Sequence, residues 1–411
     1  MGGRRPPRDA LAGAMSAAQP PGVTAYVGAG GGGDTAAAVV RSLAHPAGGR
    51  AAVYGAGYSA AEYARSLAGG VRAPPGSGRE YDRLPFIGDS ALIDHYLRDT
   101  GARDHAGRDV PVFQLRPDGG SRHVAALFEG LRAADASNAA VIEQGAGFKH
   151  MSLLDECYVA AQLAPPHPVH IFASVRDLRD PAAARSAFEA LAAHLRAADA
   201  RRVVLIDFGA DVLDFATAAG ARRPLARDTT VLLMLLRMLR TGVIAQLRLE
   251  VYGPGVDAHD TLDAVMHRLR GLGGLARVLP RGAGDPEADA FVAALRQHAA
   301  PLARCGLLRR GRATANFLRA YEHELASAAD VAAFVSEWLE ARDDFARRSD
   351  AERAAFRGAT RRYLEGGPAR AQHFRAVVLA QLHSAEDAAA FVHAVCAPEY
   401  AQLVAALEAG C

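Results

Sequence analysis

Lysine is almost absent from this chain: of 47 basic residues, Lys149 is the single lysine and the other 46 are arginines. Beside the abundant alanine, this marks a coding bias, so clusters of arginine carry little functional weight. Cysteine is scarce too. Cys157, Cys305, Cys396 and Cys411 are widely scattered, with no C-x-x-C pair and no zinc spacing. That argues against a disulfide framework and for a reducing, intracellular and most simply cytoplasmic setting. No run approaches 18 uninterrupted apolar residues, so the sequence signals no membrane partner. The formal net charge of only +2 argues against a strongly electrostatic nucleic-acid binder.

What is present is material for a large core. Half of the 411 residues are hydrophobic and 22% are charged, enough for one large domain with an appendage or for two domains. Residues 1–22 hold Arg4, Arg5, Arg8, four prolines and one acid, Asp9. Both a disordered start and an organelle transit segment fit that composition. From Val23 onward, short apolar runs recur: Val23–Val27, Ala51–Tyr54, Val112–Leu115, Ala140–Glu143, Val169–Val175, Val203–Phe208, Leu247–Tyr252 and Ala276–Leu279. Helical patterns separate them, as at Ser59–Ala68, Ser121–Ala133, Ala182–Ala197, Thr229–Leu239 and Thr261–Leu272. Mostly apolar strands without strict alternation, interleaved with helices, predict a Rossmann-like, doubly wound, mainly parallel α/β sheet over 23–284. Beyond about Gly284 the strand signals vanish. Residues 285–411 read as a helical C-terminal region, packed on the sheet or serving as a homo-oligomer interface.

The strand Val23–Val27 runs into Gly28-Ala29-Gly30-Gly31-Gly32-Gly33-Asp34-Thr35, with helix expected from Ala36. Strand, glycine loop and helix together present backbone N–H groups and a helix N-terminus to an anion such as phosphate. The spacing Gly28-x-Gly30-x-x-Gly33 also satisfies the dinucleotide fingerprint. That fingerprint calls for an acid about 20 residues on, but the second strand ends in Gly55-Ala56-Gly57 and the first acid after it is Glu62. Asp34 at the helix start is either an N-cap or a ligand to a metal or sugar hydroxyl. Asp207 and Asp211 flank Gly209 at the end of a second strand, and Asp228 is the expected N-cap of Thr229–Leu239. A third strand ends in Gly253-Pro254-Gly255-Val256-Asp257, followed by His259 and Asp260. Three strand ends that each deliver glycine and aspartate point either to a magnesium or polyol site or to three ordinary turns. Lys149, in Gly145-Ala146-Gly147-Phe148-Lys149-His150, is either a compact phosphate contact or Schiff-base amine, or a surviving codon. His150, His167, His170 and His259 serve acid–base chemistry only if the fold brings them to the rim.

Three of these motifs, Gly28-Ala-Gly-Gly-Gly-Gly-Asp34, Val203-Val-Leu-Ile-Asp-Phe-Gly-Ala-Asp211 and Arg223-Pro-Leu-Ala-Arg-Asp228, resemble the domain of unknown function 1152, known mainly from prokaryotes. Its pattern runs G-x-G-G-G-G-D, D-x-G-G-D, S-P-L-x-D and G-x-G-x-D-G-E. The resemblance covers roughly residues 23–280 and implies the same fold and motif set, without a reaction to carry over. This chain departs from it at Ala210 for the second glycine, Arg223 for serine and Ala258-His259 for Gly-Glu.

The expected function is an enzyme that binds a phosphorylated small molecule or nucleotide, by metal-dependent phosphoryl transfer or hydrolysis. Gly28, Gly30, Gly31, Gly32, Gly33, Asp34, Thr35, Gly209, Arg223 and Asp228 would hold the ligand. Asp34, Asp211 and Asp257 would bind Mg2+, and Asp211, Asp257 and Lys149 would be catalytic. A ligand sensor or scaffold with a degenerate site, and an NAD(P)-dependent oxidoreductase, are the alternatives.

Overall fold

The computed structural model describes residues 22–30, 32–57, 112–115, 160, 162–173, 181–213, 227–256, 262–280, 285–304, 308, 313–322 and 372–409, with short pieces between 327 and 358. The expected elements at Ser59–Ala68, Ser121–Ala133 and Ala140–Glu143 lie outside these residues.

The chain builds an eight-stranded sheet of β1 (Val23–Gly28), β2 (Arg50–Gly57), β3 (Val112–Gln114), β4 (Val169–Ala173), β5 (Arg202–Phe208), β6 (Gln246–Tyr252), β7 (Ala276–Leu279) and β8 (Val377–Leu382). Their order across the sheet is β3-β4-β2-β1-β5-β6-β8-β7. The strands β4, β2, β1, β5 and β6 are parallel, while β3 runs antiparallel to β4, and β8 antiparallel to both β6 and β7. Counted along the chain, the parallel set has the order 3-2-1-4-5, which is the doubly wound arrangement with its reversal between β1 and β5. Every residue of β1 is buried, as is all of β5 and β6 beyond the first residue of each. Strands covered on both faces are mostly apolar on both, which is why these runs do not alternate strictly, and the buried charges in them, Asp207, Arg248 and Glu250, need partners.

Helix α1 (Gly32–Leu43) follows β1, earlier than the Ala36 expected from sequence. Ala36 to Val40 are all buried, and Asp34 in the first turn and Arg41 in the last both complement the helix dipole. The other helices of the sheet region are α2 (Pro181–Ala197), α3 (Arg227–Arg240) and α4 (Leu262–Gly271). Because β2 lies on one side of β1 and β6 on the far side of β5, right-handed crossovers put α1 and α3 on opposite faces. Helix α3 is buried all round from Thr229 to Leu236, with Leu232, Leu233, Leu235 and Leu236 at 0% exposure. It fits only as an inner layer between the sheet and further helices.

The C-terminal region supplies those helices: α5 (Pro286–Gln297), α6 (Ala299–Arg304), α7 (Ala313–Glu322), α8 (Ala385–Phe391) and α9 (Ala397–Glu408). Helix α5 packs on α1, whereas α8 and α9 cover α3, and α9 also packs on α2. The run Ala385–Glu408 is long and apolar enough to cross a membrane. Here it is stitched to its neighbours, with Arg185 donating to the Leu407 carbonyl at 2.6 Å and Arg240 to the Tyr400 hydroxyl at 3.2 Å.

The expectation that strands end near Gly284 is corrected by β8. This strand comes from the C-terminal region yet lies between β6 and β7, pairing Leu247 with Leu382 and Val278 with Val378. Its run Val-Val-Leu-Ala-Gln-Leu is short and apolar like the others, but it stands alone among helical patterns, and its partners β6 and β7 settle it as a strand.

Candidate functional site: a carboxylate trio at the sheet reversal

Ligands of open α/β sheets bind beyond the carboxyl ends of the strands, where the strand order reverses. Here that place lies between β1 and β5. Gly28 ends β1 and Ala29 continues beside β5, its N–H donating to the Ile206 carbonyl at 2.9 Å. Asp34 enters from the first turn of α1, Asp207 is the penultimate residue of β5, and Asp228 enters from the first turn of α3. One carboxylate oxygen from each lies within 4.8 Å of those of the other two. Asp207 is fully buried and Asp228 is 8% exposed.

Backbone N–H groups hold the carboxylates in place. Asp34 accepts from Gly30 N–H at 2.9 Å through one oxygen and from Phe208 N–H at 3.3 Å through the other. It therefore ties the glycine loop to the end of β5. Asp207 accepts from Ala210 N–H at 2.9 Å. The hydroxyl of Thr229 donates to the Asp211 carbonyl at 3.3 Å, anchoring the start of α3 to the turn Asp211–Leu213.

The glycines explain how closely these groups approach. A Cβ on Gly30 would overlap the carboxylates of both Asp34 and Asp228. A Cβ on Gly28 would come 2.5 Å from the Thr35 nitrogen, so α1 seats on the end of β1 only because residue 28 has no side chain. Gly209 has φ +107° and Ala210 has φ +90°. The second value is costly for an L residue with a Cβ, and this is the position where the similar motif carries glycine.

Of the residues expected to hold a ligand, Gly28, Gly30, Asp34 and Asp228 meet at this point. Gly32 and Gly33 belong to the first turn of α1 rather than to a free loop. Thr35 is buried against Gly55, whose own Cβ would meet the Thr35 Oγ1 at 2.5 Å. Gly209 bridges β5 to β6, donating to the Tyr252 carbonyl at 3.1 Å and accepting from Gly255 N–H. Of the expected metal trio Asp34, Asp211 and Asp257, Asp34 is in the cluster. Asp211 opens the turn beyond β5, and the cluster takes Asp207 from the strand instead. Asp257, Lys149, Arg223, Gly31, His150 and His259 lie outside the described residues.

Two of the expected histidines pair elsewhere. His167 has its ring edge-on to His45 at 5.9 Å, and His45 bonds the Tyr26 hydroxyl at 2.8 Å. His170 stacks on Tyr54 at 5.0 Å and meets His194 at 4.5 Å. Burial, and then the neighbouring His194, push His170 down to about 4, so it stays neutral at physiological pH.

Asp207 stands beside Asp211 in the sequence reading, but the expected metal trio took Asp211 and left Asp207 out. In the structure it is a charge in a strand buried on both faces, a costly placement without a purpose. Helix α7 is the second omission. Phe317 packs against Phe208 and Tyr252 at 5.7 Å from each. Thr314 Oγ1 lies 3.8 Å from where a Cβ on Gly33 would be.

Compared with protein-family models, with curated proteins and with solved structures, the chain matches none. The likeness to the domain of unknown function 1152 thus rests on its motifs alone.

Proposed function

We propose that the protein is a divalent-cation-dependent enzyme acting on a phosphorylated small molecule or nucleotide, with Asp34, Asp207 and Asp228 holding the cation. The observation that carries this reading is the approach of three carboxylates to within 4.8 Å at the sheet reversal. Three carboxylates so close repel one another strongly, and a cation between them relieves that repulsion. An all-oxygen, all-anionic donor set suits hard ions such as Mg2+ or Mn2+ rather than zinc or copper.

The geometry also refines what the glycine loop does. The Gly30 N–H donates to Asp34, so this loop amide serves a carboxylate rather than a bare phosphate. A phosphate approaching three aspartates is repelled until a cation intervenes. Mg2+, when bound, would neutralise phosphate charge and polarise the phosphorus–oxygen bond. The chain's own contribution is to fix three oxygens from three elements before ligand arrives. Helices α1 and α3 start at the site from opposite faces, and their positive ends favour the anionic side chains placed there.

The test is Mn2+ binding followed by electron paramagnetic resonance, with Mg2+ competition and then turnover of nucleoside and sugar phosphates. Wild type should bind one Mn2+ that Mg2+ displaces, and Asp207→Asn should lose it while remaining folded. A wild-type chain that binds neither ion sinks the proposal. Cation binding without turnover of any phosphate ester would leave a sensor rather than an enzyme.

A further inference from the structure

Asn316, on α7, is a fully buried polar side chain at the carboxyl rim. Its amide Nδ2 donates to the Val256 carbonyl at 3.1 Å, holding the turn that follows β6. That bond fixes which way the carboxamide faces, because the opposite orientation would set two acceptors against each other. Its Oδ1 is then a buried acceptor that finds no donor among the described residues. A buried acceptor left unmade is expensive and uncommon in a folded protein.

The position of Asn316 ties this acceptor to the carboxylate site. Helix α7 lies across the ends of β5 and β6, with Phe317 against Phe208 and Tyr252. Phe208 N–H is itself a donor to Asp34. The turn that Asn316 holds is linked to β5 through Gly255 N–H, which donates to the Gly209 carbonyl. Two residues earlier, Thr314 stands over Gly33 in the first turn of α1.

We infer that Asn316 is a recognition residue of this site: its Oδ1 accepts a hydrogen bond from a hydroxyl or amino group on the ligand whose phosphate the cation holds. This inference rests on the cation-dependent reading above. It narrows the ligand class to phosphate esters that carry a hydrogen-bond donor near the phosphate, such as polyol phosphates and nucleotides with free ribose hydroxyls. A site built to accept such a bond rejects the analogue that lacks it, because the acceptor is then left buried and unmade.

Two matched probe pairs test it on the full chain at saturating Mn2+: glycerol 3-phosphate against propyl phosphate, and adenosine 5′-phosphate against its 2′,3′-dideoxy analogue. Calorimetry should show the hydroxylated member of the tighter-binding pair favoured by about 10-fold or more in wild type. Asn316→Leu should bring that ratio towards one while leaving Mn2+ affinity unchanged; Asn316→Ala serves as well if the leucine variant does not fold. A wild type with no preference in either pair overturns the inference. So does a preference that survives both substitutions, in which case the ligand does not meet Oδ1. Failure of Mn2+ to bind wild type removes the underlying cation reading instead, so the two failures are told apart by the first titration.

Discussion

Helix α1 carries a carboxylate in its first turn and a guanidinium in its last, and the two ends meet opposite kinds of surroundings. At the last turn, buried Arg41 pairs with Glu250 of β6 at 3.1 Å and with Glu287 of α5 at 2.9 Å. Arg248 meets Glu250 at 2.9 Å and also pairs with Glu287, while the Tyr252 hydroxyl donates to Glu250 at 2.6 Å. Opposite charges alternate through this network: Glu250 is shared by two arginines and Glu287 by three, with Arg202 the third at 3.9 Å. Burial alone would raise the Glu250 pKa, but Arg41 and Arg248 outweigh it and hold the carboxyl below its ordinary range. At the first turn, Asp34 meets two more aspartates and backbone N–H groups. Charges that alternate hold a fold together. Like charges gathered in one place oppose folding, and the proposed function gives them a cation to hold.

The largest effect expected from this contrast is in the network. Glu250→Gln leaves two arginines facing a neutral amide in the interior, and should destabilise by about 3–5 kcal/mol in urea unfolding. An unchanged midpoint would mean that these arginines find other anions. The corresponding change at the other end of α1, Asp34→Asn, should cost far less, because it removes repulsion as well as hydrogen bonds.

Acid should act next. With His170 held at about 4 in the fold and near its ordinary 6.5 when unfolded, the unfolded chain binds the extra proton between those values. Its contribution is therefore complete above about pH 6.5 and lost as pH falls towards 4, on the order of 3 kcal/mol in all. Glu250, held low, adds a loss of the same sign at more acidic pH. His170→Phe should flatten the fall between pH 6.5 and 4 in thermal unfolding. An unaltered pH profile would show that the His170–His194 pair is not its source.

A cation should stabilise the trio and do nothing for the network. At 100 times its dissociation constant, Mg2+ or Mn2+ should add about 2.7 kcal/mol to wild type. The gain should vanish in Asp207→Asn and persist in a network variant that still folds, and any other pattern breaks the contrast between the two ends of α1.

The smallest effect is expected at Ala210, whose φ of +90° places strain beside the trio. Ala210→Gly should stabilise by about 1 kcal/mol, the relief of a left-handed residue less the entropy that glycine adds to the unfolded chain. A loss of stability would show that the methyl group packs usefully there.

Much of this was legible in the chain. All seven of the described strands before residue 284 coincide with mostly apolar runs, because strands in the middle of a covered sheet are mostly apolar. That a helix follows the glycines was readable, although it begins at Gly32 rather than Ala36, and Asp34 and Asp228 were readable as acids at helix starts. The network was not, since arginine is too common here for Arg41 or Arg248 to stand out. Nor was the choice of Asp207 over Asp211. Both flank Gly209, and only the end of the strand and the left-handed backbone at Gly209 and Ala210 separate them.

The sequence by itself determined the local elements and the places where the backbone is bare of side chains, because those follow from residues a few positions apart. Tertiary structure decided which charges meet. Asp34, Asp207 and Asp228 converge because β5 lies beside β1, and β8 joins the sheet because β6 and β7 leave it a place between them. Such pairings depend on the order of the strands, which no short stretch of the chain contains.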